Sequence, residues 1–369
     1  MTAQSALAWP KFDRRTERIV LDILRTGRVN YWTGPCGRAF ESAFADFLGV
    51  RRAIAVSNGT VALELALSAL GVGPGDEVVV TPYSFRASAT CAARVGAKMV
   101  FADVGDDHML NAQTIERALT PRTKAVVVVH LYGQVADMEP ILALAKRRGL
   151  HVVEDCAQCL GGLYRGRPVG TLGDVGCFSF CQSKHITSGG EGGMVVARRA
   201  GVLSAIESLR DHGWVVGSEP KAFDAIGTNA RMTEIQSAIG LGELRRLESW
   251  NLPRRRRLAE AFMKGLGGHP LVLRAPVDTP ARRASFWLMP FVLDATRLSC
   301  PVATFIERLQ GAGALAYKIM WPLMADRPAA AALISDTVGF WVHPTYAPGD
   351  VARTLCAFRR LAVECARRA

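Results

Sequence analysis

Residues 53–70 read AIAVSNGTVALELALSAL. A short apolar run, Ala53–Val56, passes through Ser57-Asn58-Gly59-Thr60 straight into an apolar stretch of helical character. A buried strand, a polar turn and a helix in this order make one βα unit. The unit recurs downstream. β-branched runs stand at Glu77–Thr81, Lys98–Ala102, Ala125–His130 and His151–Glu154, and helical stretches at Thr60–Leu70, Ala87–Val95, Ala112–Leu119 and Met138–Arg148. The alternation predicts an α/β fold whose mostly parallel sheet is covered on both faces. Such sheets bind ligands beyond the carboxyl ends of their strands, so the residues following each strand are the functional candidates.

Those residues are unusual. A helix opened by Ser57, Asn58, Gly59 and Thr60 offers free N–H groups and hydroxyls to an anion, preferably a phosphate. The strand Glu77–Thr81 ends in Pro82-Tyr83-Ser84-Phe85-Arg86, an aromatic loop. HVVED ends in Asp155, with Gln158 close behind. Residues 175–196, VGCFSFCQSKHITSGGEGGMVV, place Ser179 near the end of one strand and Lys184 in a Gly-rich loop before the next. A lysine fixed between strands and partly desolvated has a lowered pKa and a free amine able to form a Schiff base. Taken singly, each feature has a plainer reading: Lys184 as a surface lysine, SNGT as an ordinary N-cap, Asp155 as a structural cap, Phe85 as core. Together they make a phosphate cradle, a flat aromatic, a carboxylate for a ring nitrogen and an amine for an aldehyde. Pyridoxal 5'-phosphate (PLP) has each complementary part.

Composition agrees with a soluble enzyme. The chain has 369 residues, 21% charged, enough for about two domains. No apolar run approaches a bilayer span, and MTAQSALAWPKFDRRTER lacks a secretory h-region. These features predict a cytoplasmic protein without membrane partners. Nine cysteines without paired spacing point to a reducing compartment. Cys156 and Cys159 form a lone C-x-x-C without the second pair of a zinc site, so no metal is expected. The net charge of +12 raises the question of nucleic acid. Its arginines, concentrated at Arg254–Arg257 and in the C-terminal tail, read as solvated helix faces, and no nucleic-acid motif accompanies them.

Before the βα units, Phe12–Leu24 and Ala39–Leu48 read as helices around the loop GRVNYWTGPCG, where Tyr31 and Trp32 either line a pocket or anchor the loop. After Ala197 come helices at Val202–Arg210 and Thr233–Trp250, separated by the loop Asp211–Arg231. From about residue 251 the pattern becomes a smaller α+β domain: helix Arg254–Leu266, strands Leu271–Arg274, Ser285–Leu293 and Gly339–His343, and helices Pro301–Gln310 and Asp350–Arg368. The expected division is 1–250, a large PLP-binding domain, and 251–369, a small C-terminal domain.

SNGTVALELAL, GPGDEVVVTPYSF, VVEDCAQ, CFSFCQSKHITSGGEGGMVV and GTNARMTEIQSAIG, in this order, resemble the DegT/DnrJ/EryC1/StrS aminotransferases. The resemblance runs from about residue 17 to the C-terminus. It implies the type I PLP-dependent aminotransferase fold, with a large domain around a mostly parallel seven-stranded sheet and a small α+β domain. It also implies a homodimer with shared active sites. By the same resemblance Lys184 is the Schiff-base lysine and Asp155 faces the pyridine nitrogen. Gln158 lies near the ring and Phe85 stacks on it. Gly59, Thr60 and Ser179 hold the phosphate, and Asn229 reaches the phosphate of the neighbouring subunit. The implied reaction moves an amino group from glutamate or glutamine, through pyridoxamine phosphate (PMP), to a nucleotide-linked keto-sugar or a cyclitol ketone.

Four departures bear on the substrate. The loop HITSGGEGG is one residue longer than the common pattern. Thr228 and Ala230 flank Asn229 where aromatics are frequent. Arg86 stands where a small residue is usual, and Met324 stands where sugar aminotransferases commonly have a histidine. Arg86 either meets an anionic part of a substrate or serves structure. Two other functions compete. A PLP/PMP-dependent sugar dehydratase has histidine in place of the lysine, and here His185 only adjoins Lys184. A non-catalytic DNA-binding regulator would have no need of the intact Lys184–Asp155 pair.

Overall fold

The structure is a computed structural model that describes residues 9–215, 217–218, 222–319 and 328–367. Met324 lies outside the described residues. Helices α1 (Arg14–Thr26) and α2 (Cys36–Leu48) precede the βα units. Asp13 caps α1 by accepting from Thr16 N, and Gly27 ends it in the left-handed region at φ 68°. Next come β1 (Ile54–Val56), α3 (Gly59–Ala69), β2 (Glu77–Val80), α4 (Ala87–Arg94), β3 (Lys98–Phe101), α5 (Ala112–Ala118), β4 (Thr123–Val129), α6 (Met138–Arg148) and β5 (His151–Asp155). A small ribbon, β6 (Leu163–Tyr164) and β7 (Arg167–Pro168), leads to β8 (Val175–Ser179), β9 (Gly193–Ala197) and α7 (Ala200–Arg210).

The main sheet has seven strands in the order β1-β9-β8-β5-β4-β2-β3. β9 pairs antiparallel with both β1 and β8, and every other pairing in the sheet is parallel. Strand alternation divides the core in two. Val126 and Val128 of β4 join one apolar cluster, while Ala125 and Val127 join the other. Both faces are thus covered, as β-branched runs without polar alternation require. Each buried valine contributes roughly 1.5–3 kcal/mol, so a charge at Val127 would break the layer from inside.

The second part begins with α8 (Glu234–Arg246), capped by a reciprocal Thr233–Gln236 box. The sequence reading ran this helix to Trp250. Instead, a π turn at Leu247–Asn251 follows, and α9 (Leu252–Leu266) restarts with Pro253 in its first turn, where its missing N–H costs nothing. Then come β10 (Val272–Arg274), β11 (Arg282–Arg283), β12 (Leu288–Leu293), α10 (Val302–Gly311), β13 (Ala316–Lys318), α11 (Pro328–Asp336), β14 (Thr337–Trp341) and α12 (Pro348–Glu364). Four of these strands form a sheet in the order β10-β12-β14-β13, and β11 joins the β6–β7 ribbon. A third apolar cluster, from Leu258 to Cys365, fills this region.

The expected strand Ser285–Leu293 starts three residues late, at Leu288. Ser285 N and Trp287 N are diverted to Gly133 O and Tyr132 O, at 2.8 and 3.0 Å. Phe286 adopts φ 54° to allow it. The arginine run also departs from a solvated face, because Arg255 is fully buried while Arg254 and Arg257 are exposed.

Candidate active site

A cavity of about 620 Å³ opens at the carboxyl ends of β1, β2, β4, β5 and β8. Gly59, Thr60, Phe85, Asp155, Gln158, Ser179 and Lys184 all line it. Tyr31, Trp32, Arg86 and Asn229 do not.

Its phosphate-type corner is the start of α3. Asn58 caps the helix through its side chain on Val61 N at 2.9 Å. The amides of Gly59 and Thr60, at the head of the helix, have no intrahelical partner and face an anion-sized corner. A Cβ on Gly59 would stand 2.7 Å from Ser179 Cβ. Only glycine lets the helix lie this close to β8, so the cradle needs Gly59 for steric reasons as well.

Asp155 is buried and already held on both oxygens. Ser88 Oγ donates to Oδ2 at 2.7 Å, and Ala157 N donates to Oδ1 at 3.1 Å. Ser84 adds a hydroxyl contact to Ser88 at 3.0 Å. Gln158 is buried too, its Oε1 accepting from Tyr132 N at 2.9 Å. Tyr132 holds φ 62° at this turn. Phe85 stands at the rim of the cavity, 52% exposed.

Lys184 lies in the antiparallel connection between β8 and β9. Burial lowers the pKa of its amine below 10.5, opposed by the nearby acidic side chains Asp155, Cys181 and Glu191. Trp287 covers it, with the indole centroid 4.7 Å from Nζ. His185 points elsewhere. Its Nε2 contacts Ser285 O at 3.2 Å, and burial pushes its pKa well below 6.5. The ring is neutral and does not line the cavity.

Tyr31 and Trp32 pack within the chain. Tyr31 is 4% exposed, donates to Glu41 Oε2 at 2.9 Å, and lies 4.5 Å under the Arg210 guanidinium. Trp32 packs on Tyr31 and Trp214. Asn229 is exposed on the loop after α7, bridged to Asp211 through the backbone. Arg86 is exposed at the head of α4.

Sequence reasoning missed Ser88 and the opposite wall, made of Trp287, Tyr317 and Trp341. Ser88 follows Ser84 by four residues at a helix start, which was a readable signal. The aromatics lie more than 100 residues beyond Lys184 in strands where a core reading is the natural one. The cluster of His130, Glu154 and Cys156 is structural. Glu154 accepts from Gly170, Leu172 and Gly173 N at 2.7–2.8 Å and contacts His130 Nε2 at 3.0 Å. His130 Nδ1 takes Ala136 N at 3.1 Å, so its lone pair is spent.

The model of the DegT/DnrJ/EryC1/StrS aminotransferase family matches residues 10–337. The chain belongs to this family. GDP-perosamine synthase of Caulobacter vibrioides is 40% identical over 291 residues, 77% of this chain and 76% of that one. L-glutamine:scyllo-inosose aminotransferase of Streptomyces griseus is 36% identical over 319 residues, 82% and 74% respectively. The X-ray structure of the aminotransferase from Psychrobacter cryohalolentis superposes with a TM-score of 0.93 at 31% identity, covering 97% of this chain and 99% of that one. The protein is an aminotransferase of the type I PLP-dependent fold acting on small molecules, and PLP is its cofactor. The cavity suits that group. It offers an amine, a buried carboxylate with its oxygens oriented, and a helix N-terminus brought close by a glycine. Among the described residues no helix is long and apolar enough to cross a membrane.

Proposed function

We propose that this aminotransferase moves an amino group from glutamate or glutamine to a nucleotide-linked keto-sugar or a cyclitol ketone, in the biosynthesis of an amino sugar or a related metabolite. The observation that carries the reading is the pairing of a desolvated Lys184 with an oriented Asp155 across a cavity whose far wall is aromatic. Sugar and cyclitol rings present C–H faces that lie well against indole and phenol rings. Relatives named for a perosamine and for scyllo-inosose support this acceptor class, and the second name includes glutamine.

PLP, when bound, supplies a carbonyl that carries the amino group and a ring that takes up electrons. Asp155 keeps the ring nitrogen protonated, with Ser88 and Ala157 N holding the carboxylate in place. Lys184 anchors the cofactor. With the cofactor bound, its amine would serve as the general acid–base of the transfer, a role worth ~10²–10⁴-fold. Burial disfavours the charged form of its amine, the direction that task requires. Gly59, Thr60 and Ser179 take the phosphate, Phe85 covers the ring, and Gln158 lies beside it.

The active unit in this proposal is a homodimer in which Asn229 reaches the partner's phosphate. Exposure of Phe223 at 64% and Ile226 at 101%, on the same loop as Asn229, supports a covering partner. We place the boundary between the large and small domains at the π turn, residues 1–250 and 251–369. The free cysteines suit a cytoplasmic location.

The test is to prepare the PMP form and add a panel of nucleotide-linked keto-sugars and cyclitol ketones. Return of the yellow absorbance identifies the acceptor. If only simple 2-oxo acids restore it, the sugar and cyclitol reading fails.

A further inference from the structure

A buried cation stands behind the lysine loop. Arg255, on α9, is 0% exposed and faces no carboxylate among the described residues. Burial pushes its pKa down to about 9. A charge buried without a counter-ion is costly, and hydrogen bonds to its N–H groups offset only part of that cost.

Its contacts form a pattern. Nε donates to Asn251 Oδ1 at 2.6 Å. Nη1 is shared between Phe286 O and Val342 O, at 3.3 and 3.4 Å. The guanidinium carbon lies 5.6 Å from the Trp9 ring centroid. Arg255 thus touches Asn251, Trp9 and the residue just before Trp287.

The side chains of Trp9, Asn251 and Trp287, the last being the residue after Phe286, converge on the lysine segment. Trp287 Nε1 donates to Ser183 O at 2.7 Å. Trp9 Nε1 donates to Lys184 O at 3.2 Å. Asn251 Nδ2 donates to His185 O at 2.5 Å. Three consecutive carbonyls are held by three N–H donors from outside the loop: one before α1, one in the π turn and one just ahead of β12. The His185 ring adds a fourth tie, to Ser285 O. Inside the loop, the nearby backbone ties are Lys184 N to Cys181 O at 3.0 Å and Ser188 N to Phe180 O at 3.1 Å.

We infer that Trp9, Asn251 and Trp287, organised by Arg255, are positioning residues that fix the peptide planes on both sides of Lys184 and so set where its amine stands. Reactive groups must be held to within about 0.5 Å by locked neighbours. A Gly-rich loop alone does not supply that rigidity. The clamp also ties the amine to the α9–β12 region, so a shift of that region reaches Lys184 directly. The inference rests on Lys184 being the cofactor lysine, which borohydride mapping of the wild-type holoenzyme tests separately.

The experiment deletes the N–H donors and keeps the rings: Trp9→Phe, Trp287→Phe and the double variant. Trp250→Phe is the control. Trp250 stacks on Trp9 with centroids 6.4 Å apart, but the donors to these three carbonyls come from other side chains. Deuterium exchange of the 180–188 peptide is read in the holoenzyme. The apparent pKa of Lys184 is read by acylation in the cofactor-free protein, where Asp155, Cys181, His185, Glu191 and Arg255 stay unaltered around it.

In the double variant, exchange of that peptide is expected to rise about tenfold, as loss of two ordinary hydrogen bonds predicts. The Lys184 pKa is expected to move up toward 10.5 as the amine gains water, and kcat to fall by ~10–100-fold with KM within about twofold, since small misplacement acts on the reacting geometry. Unchanged exchange and unchanged Lys184 pKa would overturn the inference, as would equal changes in Trp250→Phe. If the double variant does not fold, Trp9→Phe alone, at a half-buried position, decides the matter by the same readouts.

Discussion

The two walls of the cavity are built on different plans. One wall comes from consecutive strand ends between residues 58 and 191 and is polar: Gly59, Thr60, Asp155, Ser179 and Lys184. The other comes from residues 287 to 341 and is aromatic: Trp287, Tyr317 and Trp341. On the polar wall each side chain has one task at one atom, and its burial opposes stability. Lys184 shows this, since burial alone disfavours its charged form. On the aromatic wall the rings stack on one another. Trp341 lies 5.1 Å from Trp287 and 4.9 Å from Tyr317, so the same atoms line the cavity and hold the second sheet together. Changes on the first wall should therefore cost activity more than stability, and changes at Tyr317 and Trp341 on the second the reverse; Trp287 belongs to both plans, since its Nε1 also holds Ser183 O.

The largest effect belongs to Lys184. Lys184→Ala should lose at least ~10²–10⁴-fold in turnover from the proton transfer alone. Borohydride should then reduce no adduct onto the protein, while PMP still binds. Labelling of another lysine in the wild type would break the assignment. The stability arm uses Lys184→Met in cofactor-free protein. The folded pKa of Lys184 lies below 10.5, so the unfolded chain binds more protons between the two values, and stability rises with pH through that window. Lys184→Met should lose this rise and equal or exceed the wild type at neutral pH, as thermal melts across pH would show.

Asp155→Asn should lower kcat on the order of 10²–10³-fold with little change in Tm, by analogy with removal of one oriented electrostatic group. Ser88→Ala removes one hydrogen bond to that carboxylate, worth about 1.5–3 kcal/mol, and should fall between Asp155→Asn and the wild type. A Ser88→Ala variant with unchanged kcat would show that Asp155 needs no holder.

Asn229 extends the comparison across the proposed dimer. Asn229→Ala should weaken PLP binding about tenfold through one lost hydrogen bond to a charged group. Lys184→Ala and Asn229→Ala chains, mixed and verified as heterodimers, should regain activity, because one site then carries both lesions and the other neither. No recovery would remove Asn229 from a shared site.

Trp341→Ala should show the opposite signature to Asp155→Asn. Stability falls by up to about 3–5 kcal/mol, the donor half-reaction stays within about threefold, and KM for the acceptor rises as an aromatic contact of about 0.5–1.5 kcal/mol is lost. A collapse of the donor half-reaction with Tm intact would erase the contrast between the walls.

The smallest effect is expected at Arg86, exposed beside Phe85. Arg86→Lys keeps the charge and removes the planar fork that pairs with oxyanions. A rise of a few-fold in KM for one substrate, with PLP affinity unchanged, would place Arg86 at a substrate anion. Unchanged KM values for both substrates would make it structural.

The strand-end residues were legible because the signal is local. A βα unit puts a strand end, a turn and a helix start within a few residues, and SNGT, Asp155 and the loop of Lys184 each sit inside such a window. The alternation of β-branched runs announced a mostly parallel sheet covered on both faces for the same reason, since a strand buried on both faces has few polar positions to spare; the count of seven strands came with the family resemblance. Ser88 was nearly legible. Its distance from Ser84 places the two serines around the start of α4, but only the fold shows that the partner of Ser88 is Asp155, 67 residues away.

The remainder was decided by tertiary structure. Tyr31 and Trp32 had two readings, and only the fold brings Arg210 and Glu41 to Tyr31 and keeps both residues out of this chain's own cavity. Arg255, in a run of four arginines, is distinguished by its helix face alone, which turns it under Trp9 while Arg254 and Arg257 meet solvent. Strand β12 is shortened at its start by a turn more than 150 residues earlier, at Tyr132 and Gly133. Sequence by itself determined the sheet, the cofactor and the chemistry of one wall, because strand period, turn chemistry and ligand groups are encoded over a few neighbouring residues. Which aromatics face that wall, and which N–H groups steady its lysine, depends on how distant segments pack, and no short-range pattern records it.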